Sequence, residues 1–335
     1  MLSIDTLSPL ERHAFACLVY GLVGDAMGSP TELLDPREIE RRFGWVETFE
    51  GTGTDDVIMR DLLAAALVAT DGYANADDWA YQWYTQSEKI FGGKANRFFP
   101  SILHAAEKLR RAYLPRLIAE GTMPTTTSAM AIAPIGIVNA GNPRAAAAQA
   151  TEIASLVQVT HVAYCQDGAA AVASAIAAAF LPGATVDSVL QAAVDSIKPW
   201  SGAEMRTLIA DVLELAKSSQ DYKAFRKAFQ ESYCKPVICD SRETVPAALA
   251  MVWLAGGDPW KAVVLSANFG RDADTIGCMA GGICGALSGI GEGNTERLDP
   301  LPSEALSEQC RLALDLVAIR HSKADAEKAA WSISI

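Results

Sequence analysis

Two short stretches put paired carboxylates where a folding chain otherwise avoids them. Gly51-Thr52-Gly53-Thr54-Asp55-Asp56 runs straight into an apolar, helix-periodic segment, and Asn268-Phe269-Gly270-Arg271-Asp272-Ala273-Asp274-Thr275 does the same far downstream. Taken singly, each is a capped helix start. Thr54 suits an N-cap, and acids in a first turn gain about 0.3–1 kcal/mol from the positive end of the helix dipole. Adjacent carboxylates also repel each other, and a divalent cation is the simplest relief. The duplication favours the cation, because each helix start offers one threonine and two aspartates, hard oxygen donors of the kind magnesium or manganese takes. Thr54, Asp55, Asp56, Asp272, Asp274 and Thr275 together could hold two divalent cations, Mg2+ or Mn2+, about 3.5–4 Å apart, with water and substrate completing the shells.

The helix after the second stretch carries Gly277, Gly281, Gly285 and Gly289, one at every fourth position. A glycine in a helix interior costs about 1 kcal/mol relative to alanine, so such a ridge needs the compensation of a closely approaching helix. It is expected either to let the two acidic helix starts converge or merely to relieve a crowded bundle centre. A third stretch, residues 21–32, ends an apolar helix with Gly24 and Gly28 and leads Asp25 and Glu32 into an irregular loop.

Positioning these groups falls to helices. Ser8-Pro9-Leu10-Glu11 is a capping box with proline at the first helical position. Helical faces follow at 57–69, around Trp79, Trp83 and Ile90, and over 102–119, 143–157, 169–180, 186–197, 204–216, 244–254, 260–266, 275–287 and 303–318. Breaker-rich connections such as Leu181-Pro182-Gly183 and Gly256-Gly257-Asp258-Pro259 join them. With no low-complexity linker, charge block or fixed-period repeat, the pattern predicts one all-α domain over residues 1–335. Its expected form is a compact orthogonal multi-helix bundle with a central two-metal site. The least helical stretch, residues 29–52, reads as a long loop of the kind that is often functional.

Composition narrows the function classes. A chain of 335 residues, half of them apolar and a fifth charged, can bury a sizeable core and is neither disordered nor a disulfide-stapled miniprotein. Its net charge of −12 repels phosphate backbones and anionic lipid, so no nucleic-acid partner is expected. Seven irregularly spaced cysteines read as reduced thiols in a cytoplasmic protein, without a structural zinc set. Residues 1–6 lack the basic region of a secretory signal. The uncharged stretches 168–186 and 275–291 are too broken or too short to span a membrane. The chain is expected to act as a monomer.

In order and over nearly the whole chain, five motifs resemble the ADP-ribosylglycohydrolase family of metal-dependent ADP-ribosyl hydrolases. They are G-D-A-x-G at 24–28, T-D-D at 54–56, Ala133-Pro134-Ile135-Gly136, Thr160-His161 and G-x-D-x-D-T at 270–275. The resemblance implies an all-helical fold and a two-metal site ligated by the six residues above. It also implies Glu32 as the acid/base or water-activating group beside Asp56 and Asp274, with Asp25 and His161 as pocket residues. Ser128 and Arg271 are expected to contact substrate, Arg271 by restoring one positive charge beside the metals.

The chain departs from the family pattern at three places. Val57 follows the acidic pair where a threonine is common, Arg271 replaces a common glycine, and residues 125–131 (Thr125-Thr126-Thr127-Ser128-Ala129-Met130-Ala131) stand where G-N-G-x-x-M-R is common. The expected activity is cleavage of a ribosyl C1 glycosidic bond, with release of ADP-ribose from an ADP-ribosylated protein. The altered pocket keeps a small ribosyl metabolite open as substrate, because neutral hydroxyls suit sugar or nucleobase edges better than a diphosphate. A catalytically inactive binding or immunity protein is the other alternative.

Overall fold

The computed structural model describes residues 6–93, 95–290 and 295–332, which leaves residues 1–5 and Gly291, both used above, outside the described residues. The described residues form eighteen α-helices and no strand, apart from one isolated antiparallel bridge between Thr125 and Asp240. The first helices are α1 (Pro9–Gly28), α2 (Pro36–Phe43), α3 (Asp55–Ala69), α4 (Ala76–Thr85), α5 (Glu88–Phe91) and α6 (Pro100–Arg110). The middle of the chain gives α7 (Pro115–Ile118), α8 (Thr127–Ala131), α9 (Ala133–Val138), α10 (Pro143–Ala154), α11 (Tyr164–Ala179) and α12 (Val186–Ser196). The last are α13 (Ala203–Ser218), α14 (Tyr222–Ser232), α15 (Ser241–Ala255), α16 (Pro259–Ala267), α17 (Ala273–Ser288) and α18 (Ser303–Ser332).

The bundle is organised around α1 and α17. The Ser8–Glu11 capping box starts α1, and every residue from Ala14 to Gly28 is buried. Glycine makes the contact between the two helices possible: a Cβ on Gly24 would lie 2.1 Å from Gly277 O, and one on Gly285 would lie 2.3 Å from Ala16 O. The ridge therefore packs α17 onto α1 rather than onto α3, and it ends at Gly285. Gly289 lies just past the helix at φ +66°, where it terminates α17. Around this pair lie α16, α15 and α18, while the alanine-rich α11 is buried on almost every side against α10 and α12. No described helix is long and apolar enough to cross a membrane, and all seven cysteines are free.

The helix pattern differs from the sequence expectation where local signals compete. Within residues 29–52, Asp35 caps α2 by accepting from the N–H groups of Arg37 and Glu38, with Pro36 at its first position. Its apolar stripe is a single buried residue, Ile39, so periodicity carries no signal there and the stretch reads as loop. The segment 102–119 breaks at Ala112 (φ +61°), and Pro115 restarts it as α7 because proline cannot continue a helix. In α14 charged residues mask the apolar period, while Asp221 caps the helix by accepting from Ala224 N–H and Phe225 and Phe229 anchor it. Beyond Ala318, α18 continues through a charged run whose buried member, Lys323, donates to Asn139 Oδ1 at 2.9 Å.

Candidate active site

Three elements converge on one acidic cleft: the C-terminal end of α1 and the N-terminal ends of α3 and α17. Thr54 takes the N-cap position of α3, yet its side chain makes no cap bond, and the same holds for Asp272 ahead of α17. The simple capping role offered for these residues is not the one they play. Asp25 caps α3 from the neighbouring helix instead. Its Oδ2 accepts from Thr54 N–H at 2.7 Å and Val57 N–H at 3.2 Å, and its Oδ1 accepts from the Thr54 hydroxyl at 2.8 Å. Gly28 lets the end of α1 press on the start of α17, since a Cβ there would fall 2.3 Å from Asp274 N.

The carboxylates form two overlapping groups. One oxygen each from Asp25, Asp56 and Asp274 lie within 4.8 Å of one another, and so do one each from Glu32, Asp272 and Asp274. Asp274 belongs to both groups, so the arrangement offers two adjacent centres with a shared member. Asp56 Oδ1 and Asp272 Oδ2 are fully buried and find no hydrogen-bond partner. A buried acceptor left unpaired costs about 1–3 kcal/mol, more when charged, which a bound cation would relieve. The donor set is all oxygen and mostly anionic, as magnesium or manganese requires. The residues present therefore fit a pair of divalent cations.

Without counter-ions this density of charge resists ionisation. Burial pushes Asp56, Asp272 and Asp274 well above the ordinary carboxylate range, and their neighbours' negative charge adds to the shift. Asp55 is raised to about 7 by burial and by Asp25. Burial also raises Asp25, against the hydrogen bonds from Thr54 and Val57. Glu32, half-buried, is raised by burial and by Asp25, with Arg97 acting in the other direction.

Most of the expected site residues share one cleft of about 380 Å³, lined by Glu32, Thr54, Asp55, Asp56, Asp272, Asp274 and Thr275 on its acidic side. Thr275 Oγ1 donates to Asp56 Oδ2 at 3.4 Å, tying the two acidic helix starts together directly. Asp55 lines the cleft but belongs to neither triplet, while Asp25 lies beneath the cleft wall and completes one of them.

Three expected substrate contacts are placed elsewhere. His161 is exposed, outside the cleft lining. Ser128 is buried and its hydroxyl donates to Gln158 Oε1. The Arg271 guanidinium turns away to Glu243, with Nε donating to Oε1 at 2.7 Å and Nη2 to Oε2 at 2.6 Å.

The lining also holds groups that the sequence did not flag. Arg97 is the sole cation among the lining residues, and its Nη1 donates to Ser29 Oγ at 3.1 Å. Beside it stand Phe98, Phe99, Met130, Ile238 and Cys239. Arg97 lies in a short 3-10 turn with no motif around it, so nothing in its spacing could have identified it. Thr125, Thr126 and Thr127 also line the cleft, but Thr126 Oγ1 is engaged with Cys239 O at 2.8 Å, and Thr125 Oγ1 and Thr127 Oγ1 hydrogen-bond each other at 2.8 Å.

Comparison with known proteins agrees with this architecture. The profile of the ADP-ribosylglycohydrolase family matches residues 6–325. The uncharacterized protein YegU of Escherichia coli (strain K12) is 29% identical over 300 residues, covering 81% of this chain and 86% of its own. An uncharacterized protein of Archaeoglobus fulgidus is 27% identical over 292 residues, covering 83% and 88%. Among solved structures, one titled ADP-ribosylglycohydrolase-related protein complex superposes with a TM-score of 0.69 at 20% identity, covering 94% of this chain and 100% of that one, which is a likeness of fold.

Proposed function

Since the chain belongs to the ADP-ribosylglycohydrolase family, we propose that it is a metal-dependent hydrolase that cleaves a ribosyl C1 glycosidic bond and releases ADP-ribose from an ADP-ribosylated target. The observation that carries the reading is the pair of carboxylate triplets sharing Asp274, with two buried oxygens left without partners. Asp25, Asp56 and Asp274 would hold one divalent cation, and Glu32, Asp272 and Asp274 the other, with Thr54, Asp55 and Thr275 beside them. Bound there, Mg2+ or Mn2+ supplies positive charge for ribose hydroxyls and for activation of water.

The protein's own groups divide the remaining work. Glu32 reaches the cleft and is the least buried of the clustered carboxylates, so the oxygen it does not commit to a cation is the group placed to handle the proton between water and leaving group. Phe98, Phe99 and Met130 supply the apolar part of the lining and exclude water from the cleft. Arg97 offers the one positive side chain for an anionic part of the substrate, a service Arg271 does not give because its guanidinium is committed to Glu243. This favours a substrate with a diphosphate. The hydroxyl-rich wall of Thr125 and Thr127 favours the second reading, a small ribosyl metabolite.

The experiment is a panel of ADP-ribosyl-arginine, ADP-ribosyl-serine and phosphate-free ribosides, each with magnesium, with manganese and with chelator. Metal-dependent release from the ADP-ribosyl compounds is expected. A preference for phosphate-free ribosides would move the assignment to the small metabolite, and no release from any compound would make the chain a binding protein.

A further inference from the structure

The turn carrying Glu32 and the turn carrying Asp272 are joined by a short backbone ladder. Leu33 N–H donates to Arg271 O at 2.7 Å, and Arg271 N–H donates to Leu34 O at 3.1 Å. Leu33 (φ +65°) and Arg271 (φ +61°) both stand in the left-handed region, where a side-chain-bearing residue persists only if its surroundings hold it. Gly270 permits the close approach, since a Cβ there would lie 2.3 Å from Leu34 O. On the other side of Glu32, the Thr31 hydroxyl donates to Ala267 O at 2.7 Å. Both neighbours of Glu32 are thus anchored to one segment, residues 267–271.

That segment is held in turn through Arg271. Besides its two bonds to Glu243, its Nη2 donates to Lys235 O at 2.7 Å. Glu243 belongs to α15, has no solvent exposure, and also accepts from Lys235 N–H at 2.6 Å. A bidentate guanidinium–carboxylate pair is a rigid fork that fixes orientation as well as distance. Arg271 is absent from the cleft lining, so this fork is not spent on substrate.

We propose that the Glu243–Arg271 pair is the positioning device of the active site: it locks the backbone of Arg271, and through the ladder it fixes the carboxyl of Glu32 against Asp272 and Asp274. Glu32 is thereby placed by a pinned turn. The assignment of Glu32 to the proton rests on the function proposed above, whereas the geometric claim stands without it.

The test uses two variants of the full chain, Arg271→Lys, which keeps the charge and loses the fork, and the double variant Glu243→Leu with Arg271→Met, which leaves no buried charge unpaired. In each folded variant the Leu33 amide should exchange about tenfold faster while amides of α11 keep wild-type protection. Affinity for Mn2+ alone should fall about tenfold, as for groups that orient metal ligands. On ADP-ribosyl-arginine, kcat should drop with KM nearly unchanged. Wild-type Leu33 protection and Mn2+ affinity in either folded variant would overturn the proposal, as would a rise in KM with Leu33 still protected, the result expected of a substrate ligand. Should the wild type release nothing from any riboside, the exchange and Mn2+ measurements still decide the positioning role, and only the proposed activity fails.

Discussion

Replacing Gly28 by alanine should damage the metal site more than the fold. The new Cβ would lie 2.3 Å from Asp274 N, 2.4 Å from Asp274 Cα and 2.5 Å from Ala273 C, all backbone atoms that no rotamer change can move. Ordinary van der Waals contact begins at 3.4 Å, so the end of α1 and the start of α17 must part by about 1.1 Å. Overpacking of this kind costs about 1–3 kcal/mol, offset by up to about 1 kcal/mol from the better helix propensity of alanine. The net loss of stability should be about 1–2 kcal/mol, read as a shift in the urea midpoint. The displacement falls between Asp25 on α1 and Asp274 on α17, members of one triplet, so Mn2+ affinity should drop by an order of magnitude or more. Gly281→Ala is the matched control. Its Cβ would meet Tyr20 O at 2.4 Å, an equal clash about two turns further along the interface, and should cost similar stability with little change in Mn2+ affinity. Equal losses of Mn2+ affinity in the two variants, or native affinity in Gly28→Ala, would refute the argument that this close approach sets the site.

Other outcomes follow from single observations. Mg2+ at a hundredfold excess over its dissociation constant should stabilise the protein by about 2.7 kcal/mol for each occupied site, and chelator should remove that gain in a thermal melt. Burial pushes the half-buried Asp167 carboxyl up to about 6, so the native state holds that proton more tightly and its contribution to stability falls as pH rises from about 4 to 6. Asp167→Asn should flatten this part of the profile and be more stable by about 1 kcal/mol above pH 6 in urea unfolding, a figure discounted for the solvent around Asp167. Trp79 and Trp83 meet edge-on at 5.1 Å in the core, both essentially unexposed. Trp79→Ala should cost about 3–5 kcal/mol by the same assay, far more than a substitution at the 94% exposed Trp200.

What the sequence made legible is what local chemistry dictates. The Ser8–Glu11 capping box, the two acidic helix starts and the need of the glycines of α17 for a close neighbour were all readable, and each rests on residues adjacent in the chain or one turn apart. The identity of that neighbour was not readable, because α1 meets α17 through long-range packing. For the same reason the cap that Asp25 supplies to α3 has no local signature: donor and acceptor are 29 residues apart. Arg271 shows the limit most clearly. Its place beside Asp272 suggested a charge for substrate, and only the fold reveals that Glu243, 28 residues away, takes the guanidinium. Helix α2 escaped notice because an aspartate cap and a proline outweigh its thin apolar stripe.

If Asp274 joins two metal centres, one with Asp25 and Asp56 and the other with Glu32 and Asp272, a calorimetric titration of the apo protein with Mn2+ shows it most directly. The wild type should bind two ions per chain, and Asp274→Asn, by weakening both triplets at once, should abolish tight binding of both while the helical circular-dichroism signal stays intact. Two tightly bound ions in the folded Asp274→Asn variant, or none in the wild type, would contradict the account.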